Sequence, residues 1–140
     1  MKRIFVAFVL VLAVAALAGC SSGSADESFK GRVEPIADNI LQSIKSGDRE
    51  AFLKDMDGKM KSTFTAEAFD KMNTLLGSKV GTYQSKEFWK TEKSGQYVIA
   101  YYKAKFDKEE EYVVVKVVTS EKDGVLSVAG LFFDSPNLRK

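Results

Sequence analysis

Residues 97 to 133 read YVIAYYKAKFDKEEEYVVVKVVTSEKDGVLSVAGLFF, and they decide the fold. Tyr97 to Phe106, Tyr112 to Ser120 and Leu126 to Phe133 are rich in β-branched and aromatic side chains, and short polar or glycine-bearing segments separate them. That pattern predicts strands. Asp123-Gly124 is the strongest turn signal, because a type I′ hairpin needs positive φ at both central residues. Working back, Thr82 to Thr91 supplies a fourth strand, and Lys93-Ser94-Gly95 turns it into Tyr97. Connections this short join neighbours in an antiparallel meander, since parallel strands require long crossovers.

Upstream the period changes. Val33, Ile36, Ala37, Ile40, Leu41 and Ile44 repeat at helical spacing, with Pro35 suited to the first turn and Gly47 to the stop. Asp48 is placed to cap a short second helix carrying Ala51, Phe52, Leu53 and Met56. Thr65 is placed to cap a third, whose stripe is Phe69, Met72, Leu75 and Leu76 and which Gly77 ends. Phe64 ahead of that cap should staple onto Phe69. Helices segregated ahead of an antiparallel sheet define an α+β layer fold: N-terminal helices on a curved four-stranded antiparallel meander.

The N-terminus carries an address. Lys2-Arg3 precedes an unbroken apolar run from Ile4 to Leu17, too short for a comfortable transmembrane helix but right for a secretory segment. Leu17-Ala18-Gly19-Cys20 follows and resembles the bacterial lipobox, which implies diacylglycerol on the Cys20 sulfur and cleavage before it. Residues 1–19 are thus expected to be a signal peptide, 20–28 the lipidated cysteine and a flexible tether, and 29–140 a single domain. Cys20 is the only cysteine, and the lipobox position accounts for it. Anchoring by acyl chains, palmitate among them, places the chain in the cell envelope, on the outer face of the cytoplasmic membrane or at the outer membrane.

Charge and composition narrow the function. Lys2 and Arg3 account for the net charge of +2, so the chain beyond them is formally neutral, without the basic footprint expected for nucleic acid. Histidine is absent, which removes imidazole triads and histidine metal sites. No cofactor is implied. Asp107-Lys108-Glu109-Glu110-Glu111 is acidic but lacks the spacing of a calcium loop, and reads as a solvated hairpin tip. Phe88-Trp89 are neighbours on a strand and must face opposite ways, one toward the core and one toward the surface.

Four strings carry a family resemblance: Ser46-Gly47-Asp48 with Phe52, Met60-Lys61 to Phe64-Thr65, Leu76-Gly77 with Tyr83, and Val128 to Pro136. With the element order they resemble the nuclear transport factor two-like, cystatin-like superfamily, and within it the domain of unknown function family 3887 of small lipoproteins. The resemblance implies a pocket between the concave sheet face and the helices, where some relatives use a carboxylate as a base. Asp107, Asp134, Tyr83 and Tyr102 are the residues to inspect for such chemistry. The inward parity of the second strand, Val98, Ala100, Tyr102, Ala104 and Phe106, leaves room at its two alanines. A pocket lined by Tyr83, Ala100, Tyr102, Ala104 and Phe106 is therefore expected, suited to a small apolar ligand. Val114 and Val118, with Tyr97, Ile99 and Tyr101, make the opposite face apolar as well, which predicts a sheet-mediated homodimer interrupted by Lys103, Lys105 and Lys116. The expected role is that of a membrane-anchored lipoprotein with a non-catalytic domain that binds a small molecule or a protein. The alternative is a small carboxylate-dependent enzyme, isomerase-like or hydrolase-like.

Overall fold

The computed structural model describes residues 22–140, with side chains from Asp26 onward; the signal segment and Cys20 lie outside the described residues. Four helices precede four strands: α1 (Ser22–Ser46), α2 (Arg49–Leu53), α3 (Gly58–Thr63), α4 (Ala66–Lys79), β1 (Tyr83–Ser94), β2 (Tyr97–Phe106), β3 (Val113–Lys122) and β4 (Val125–Asp134). The sheet order is β1-β2-β3-β4 with every pair antiparallel, so the α+β meander stands. Among the described residues no helix is long and apolar enough to cross a membrane.

The helical stripe is as expected: Val33, Ile36, Ala37, Ile40, Leu41 and Ile44 are all buried against the inner face of the sheet. Its start is earlier than expected. The segment read as a tether, 20–28, is helical from Ser22, because Phe29 extends the apolar stripe one turn upstream and packs on the core. Pro35 therefore sits inside α1 rather than in its first turn. It and Gly31, whose carbonyl it cannot serve, both lie on the exposed side, so the unserved carbonyl is open to solvent.

Asp48 and Thr65 cap as expected, accepting from the backbone N–H of Ala51 at 3.0 Å and of Ala68 at 3.2 Å. A further cap, Asp57 accepting from Met60 N–H at 2.8 Å, starts the unforeseen α3. Phe64 and Phe69 both pack on Phe52, at ring-centroid distances of 5.0 and 4.9 Å. Gly77 does not end α4. The helix runs to Lys79 and is closed by Gly81, whose φ of +88° provides the reversal. Leu75, assigned to the buried stripe, is 52% exposed.

The strands are bent at three irregularities, Tyr83/Ser85 and Phe88/Lys90 in β1 and opposite Val118/Thr119 in β4. Such bulges curve a sheet around the helices on its concave side. At the last of them the segment before α3 docks on β4: Val128 N–H donates to the Asp55 carbonyl at 2.8 Å, and the Val128 carbonyl accepts in return from Asp57 N–H at 2.9 Å. Asp123 and Gly124 have φ of 52° and 77°, the expected hairpin.

Candidate functional site

The concave face comes first, since a pocket was expected there. The five residues expected to line it do share one face, but they form closed core: Ala100, Tyr102 and Ala104 are fully buried, and Tyr83 and Phe106 nearly so. Phe88 covers Tyr102 edge-on at 5.6 Å, and Phe106 covers Tyr83 at 5.8 Å. The alanines are small because large neighbours fill the space beside them, as dense interiors require.

A polar cluster closes the rim of this core. Lys86, in register with Ala104, points inward with its side chain only 5% exposed, and ion-pairs with Glu34 and, at 2.9 Å, with Asp38. Glu34 and Asp38 lie one turn apart on α1, so both carboxylates reach the same ammonium. The ammonium also lies 4.9 Å from the Tyr102 ring centre, and the Tyr102 hydroxyl donates to Glu34 Oε2 at 3.3 Å. Burial works against the charge on Lys86, but the bonds to Glu34 and Asp38 outweigh it and raise its pKa above the ordinary lysine value. Burial, followed by the Glu34 charge, pushes the Tyr102 phenol well above its ordinary value, and burial raises Tyr83 against the opposing pull of Lys86. An ammonium held protonated is neither nucleophile nor base, and a phenol pushed up is no acid near neutrality. The cluster's chemistry is that of a staple joining α1 to β1.

The two acids proposed for catalysis are placed elsewhere. Asp107 Oδ1 accepts from Thr82 N–H at 2.8 Å and occupies the space a side chain at Gly81 would need. Asp134 is paired to Arg139 at 2.5 Å, which holds its carboxyl below the ordinary value. The acidic hairpin tip is not uniformly solvated: Glu109 is buried, bonded by the Ser135 hydroxyl and by Asn137 N–H at 3.1 Å, and its pKa is lowered by those bonds. It ties the β2–β3 turn to the C-terminal turn.

The outer face is different. Trp89, at the β1 bulge, is 47% exposed while Phe88 packs on the core, the opposite orientations expected of the pair. Around Trp89 aromatic rings and ammonium groups alternate across the strands. Lys103 Nζ lies 4.8 Å from the Tyr112 ring centre and 4.9 Å from that of Trp89. Lys90 Nζ lies 4.9 Å from Trp89 and 4.7 Å from Tyr101, and Lys116 Nζ 5.4 Å from Tyr101. The result is one continuous row, Tyr112, Lys103, Trp89, Lys90, Tyr101, Lys116, within the range of favourable cation–π attraction throughout. Among the described residues, only Lys90 of these three lysines is ion-paired, to Glu92 at 2.9 Å. Glu92 in turn accepts from the Tyr101 hydroxyl at 2.6 Å, which lowers the carboxyl's pKa and raises the phenol's. Beside Tyr101, Ile99, Val118 and Phe132 line a shallow groove of about 400 Å³ that runs to Asp134. Gly130 forms part of that face: a Cβ there would meet Val118 at 3.2 Å and the Phe132 ring at 3.3 Å. Lysines read in the sequence as interruptions of an apolar patch are thus its organising members.

The family model described as "Protein of unknown function (DUF3887)" matches residues 37–123. No curated protein matches the sequence. Among solved structures, Bd1075 of Bdellovibrio bacteriovorus is similar at 13% identity and a TM-score of 0.48, over 83% of this chain and 44% of that one. The chain thus spans less than half the length of that protein. An NTF-2 like protein of unknown function from Burkholderia xenovorans LB400 is similar at 15% identity and a TM-score of 0.40, over 76% and 86%. The α+β assignment rests on this chain's own element order and register.

Proposed function

The chain belongs to the DUF3887 family, of unknown function, and we propose that it is a lipid-anchored envelope protein whose domain is a non-catalytic binding module working through the outer face of its sheet. The observation that carries this reading is the aromatic–lysine row: it gathers the exposed rings of Trp89 and Tyr112 and, among the described residues, the unpaired ammonium groups of Lys103 and Lys116 on one face, while the concave face is filled and its buried cation Lys86 is neutralised by Glu34 and Asp38. Large apolar side chains rimmed by charge on an otherwise mixed-charge surface mark interaction sites. Anchoring is supported by Leu17-Ala18-Gly19-Cys20 after an apolar run.

Two experiments test the two halves. A fatty-acid probe should label the wild type and not Cys20→Ala; equal label on both would remove the anchor. A photo-crosslinking side chain at Phe132 should form adducts in native envelopes, and one at Leu75 on α4 should not. Adducts at both positions, or at neither, would remove the outer face as the working surface. A second reading has its own observation, the apolar half of the face at Ile99, Val118 and Phe132, which suits a second copy of the chain in an isologous pairing. An adduct of twice the chain's mass would identify it.

A further inference from the structure

Resting on the outer face as the working surface, we propose that its occupant is a linear polysaccharide bearing carboxylates. The row from Tyr112 to Lys116 is extended and narrow, and its members alternate between flat apolar rings and ammonium groups at steps of 4.7 to 5.4 Å. An acidic glycan presents the complementary alternation, apolar C–H faces of sugar rings and carboxylates at their edges. The rings offer those C–H faces a platform, Trp89 and Tyr112 being exposed enough to take one.

Charge fits the same partner. Among the described residues Lys103 and Lys116 stand in the row without a carboxylate ion pair, and Lys105 extends the positive edge beside Ser85, Glu87 and Tyr112. Of the nearby acids, Glu92 is engaged by Lys90 and Tyr101 and Asp134 by Arg139, while Glu87, in register with Lys103, is outnumbered by Lys103, Lys105 and Lys116. A bilayer is the poorer fit by topology. The N-terminal end of α1 contacts the hairpin ends, Asp26 meeting Thr91, and Arg32 meeting Glu121 and the Gly124 carbonyl. In the sequence Cys20 precedes Ser22, the first residue of α1, by two positions. An anchor there sets the hairpin ends toward the membrane and the sheet face side-on to it.

Trp89 is the only tryptophan, so its fluorescence reports from the centre of the proposed site. The test titrates protein purified from its membrane in neutral detergent with polygalacturonate. A saturable change in Trp89 emission is expected, weakened about tenfold or more by K103A/K116A, by Y112A, and by raising salt from about 0.02 to about 0.5 M. Neutral dextran should give none. A response of equal strength to dextran, to polyphosphate or DNA, or to micelles doped with anionic lipid would overturn the proposal, as would no response to polygalacturonate. If crosslinking at Phe132 persists while polygalacturonate fails, the face is the working surface and the partner class is wrong; if both fail, the underlying reading fails as well.

Discussion

Ala104→Leu asks whether the concave side is filled or hollow, because the two cases differ in sign. Ala104 is fully buried on β2, in register with Lys86 and Val113, and shares its face with Tyr102 and Phe106. Leucine adds three carbons at that point. In a cavity each buried carbon contributes roughly 0.8 kcal/mol, and the variant would gain about 2 kcal/mol. In a packed interior the same carbons force neighbours off their rotamers at about 1 to 3 kcal/mol, and three at once belong at the upper end. For a domain of this size about 3 kcal/mol lowers Tm by about 10 °C. Thermal unfolding followed by circular dichroism measures it, with Ala100→Leu as a second probe two pleat repeats away on the same face. A Tm unchanged or raised in both variants would refute the packed interior and restore a pocket at Tyr83, Tyr102 and Phe106.

Gly81→Ala should cost about 2 kcal/mol or more by denaturant titration, because φ is +88° and the new Cβ would stand 1.9 Å from Asp107 Oδ1. Lys86→Met should lose about 1 to 2 kcal/mol by the same measurement, less than a fully buried pair would, since Glu34 and Asp38 are exposed enough to regain water. Glu109 has its pKa lowered below the ordinary 4.5, so its contribution is complete above that value and is lost as pH falls through the folded value beneath it. Unfolding midpoints of Glu109→Gln and wild type should therefore differ at about pH 7 and converge as pH falls below the folded value.

What the sequence made legible follows from period. β2 alternates in its second half, where Lys103 and Lys105 separate Tyr102, Ala104 and Phe106, so its inward set from Val98 to Phe106 could be named in advance, and Asp123-Gly124 left little choice of turn. The α1 stripe was equally plain. Its ends were not, since Pro35 looks like a start and only the packing of Phe29 carries the helix past it. Gly77 looks like a stop, but a glycine is required only where φ turns positive, and that is Gly81. Leu75 sat at a plausible stripe position and points to solvent, because α4 buries only a narrow strip around Phe69 and Leu76.

The sites were harder to read because they depend on what the strands bring together. A lysine is exposed by default, so Lys86 on an inward position passed unnoticed; Glu34 and Asp38 at i, i+4 on α1 were the available hint. The aromatic–lysine row needs three strands in register and a bulge at Phe88/Lys90 that lifts Trp89 between Lys103 and Lys90. No single segment contains that row. Its one local trace is the outward parity of Tyr101, Lys103 and Lys105 along β2.

The account turns on the outer sheet face being covered in the cell, and differential amine modification tests that most directly. Lysines are labelled in intact native envelopes and in the purified protein, and Lys103, Lys105 and Lys116 are compared with Lys71, which stands exposed on α4. The account predicts that the three outer-face lysines are labelled several-fold less in envelopes while Lys71 is labelled equally in both. Equal labelling of all four lysines in both preparations would contradict it.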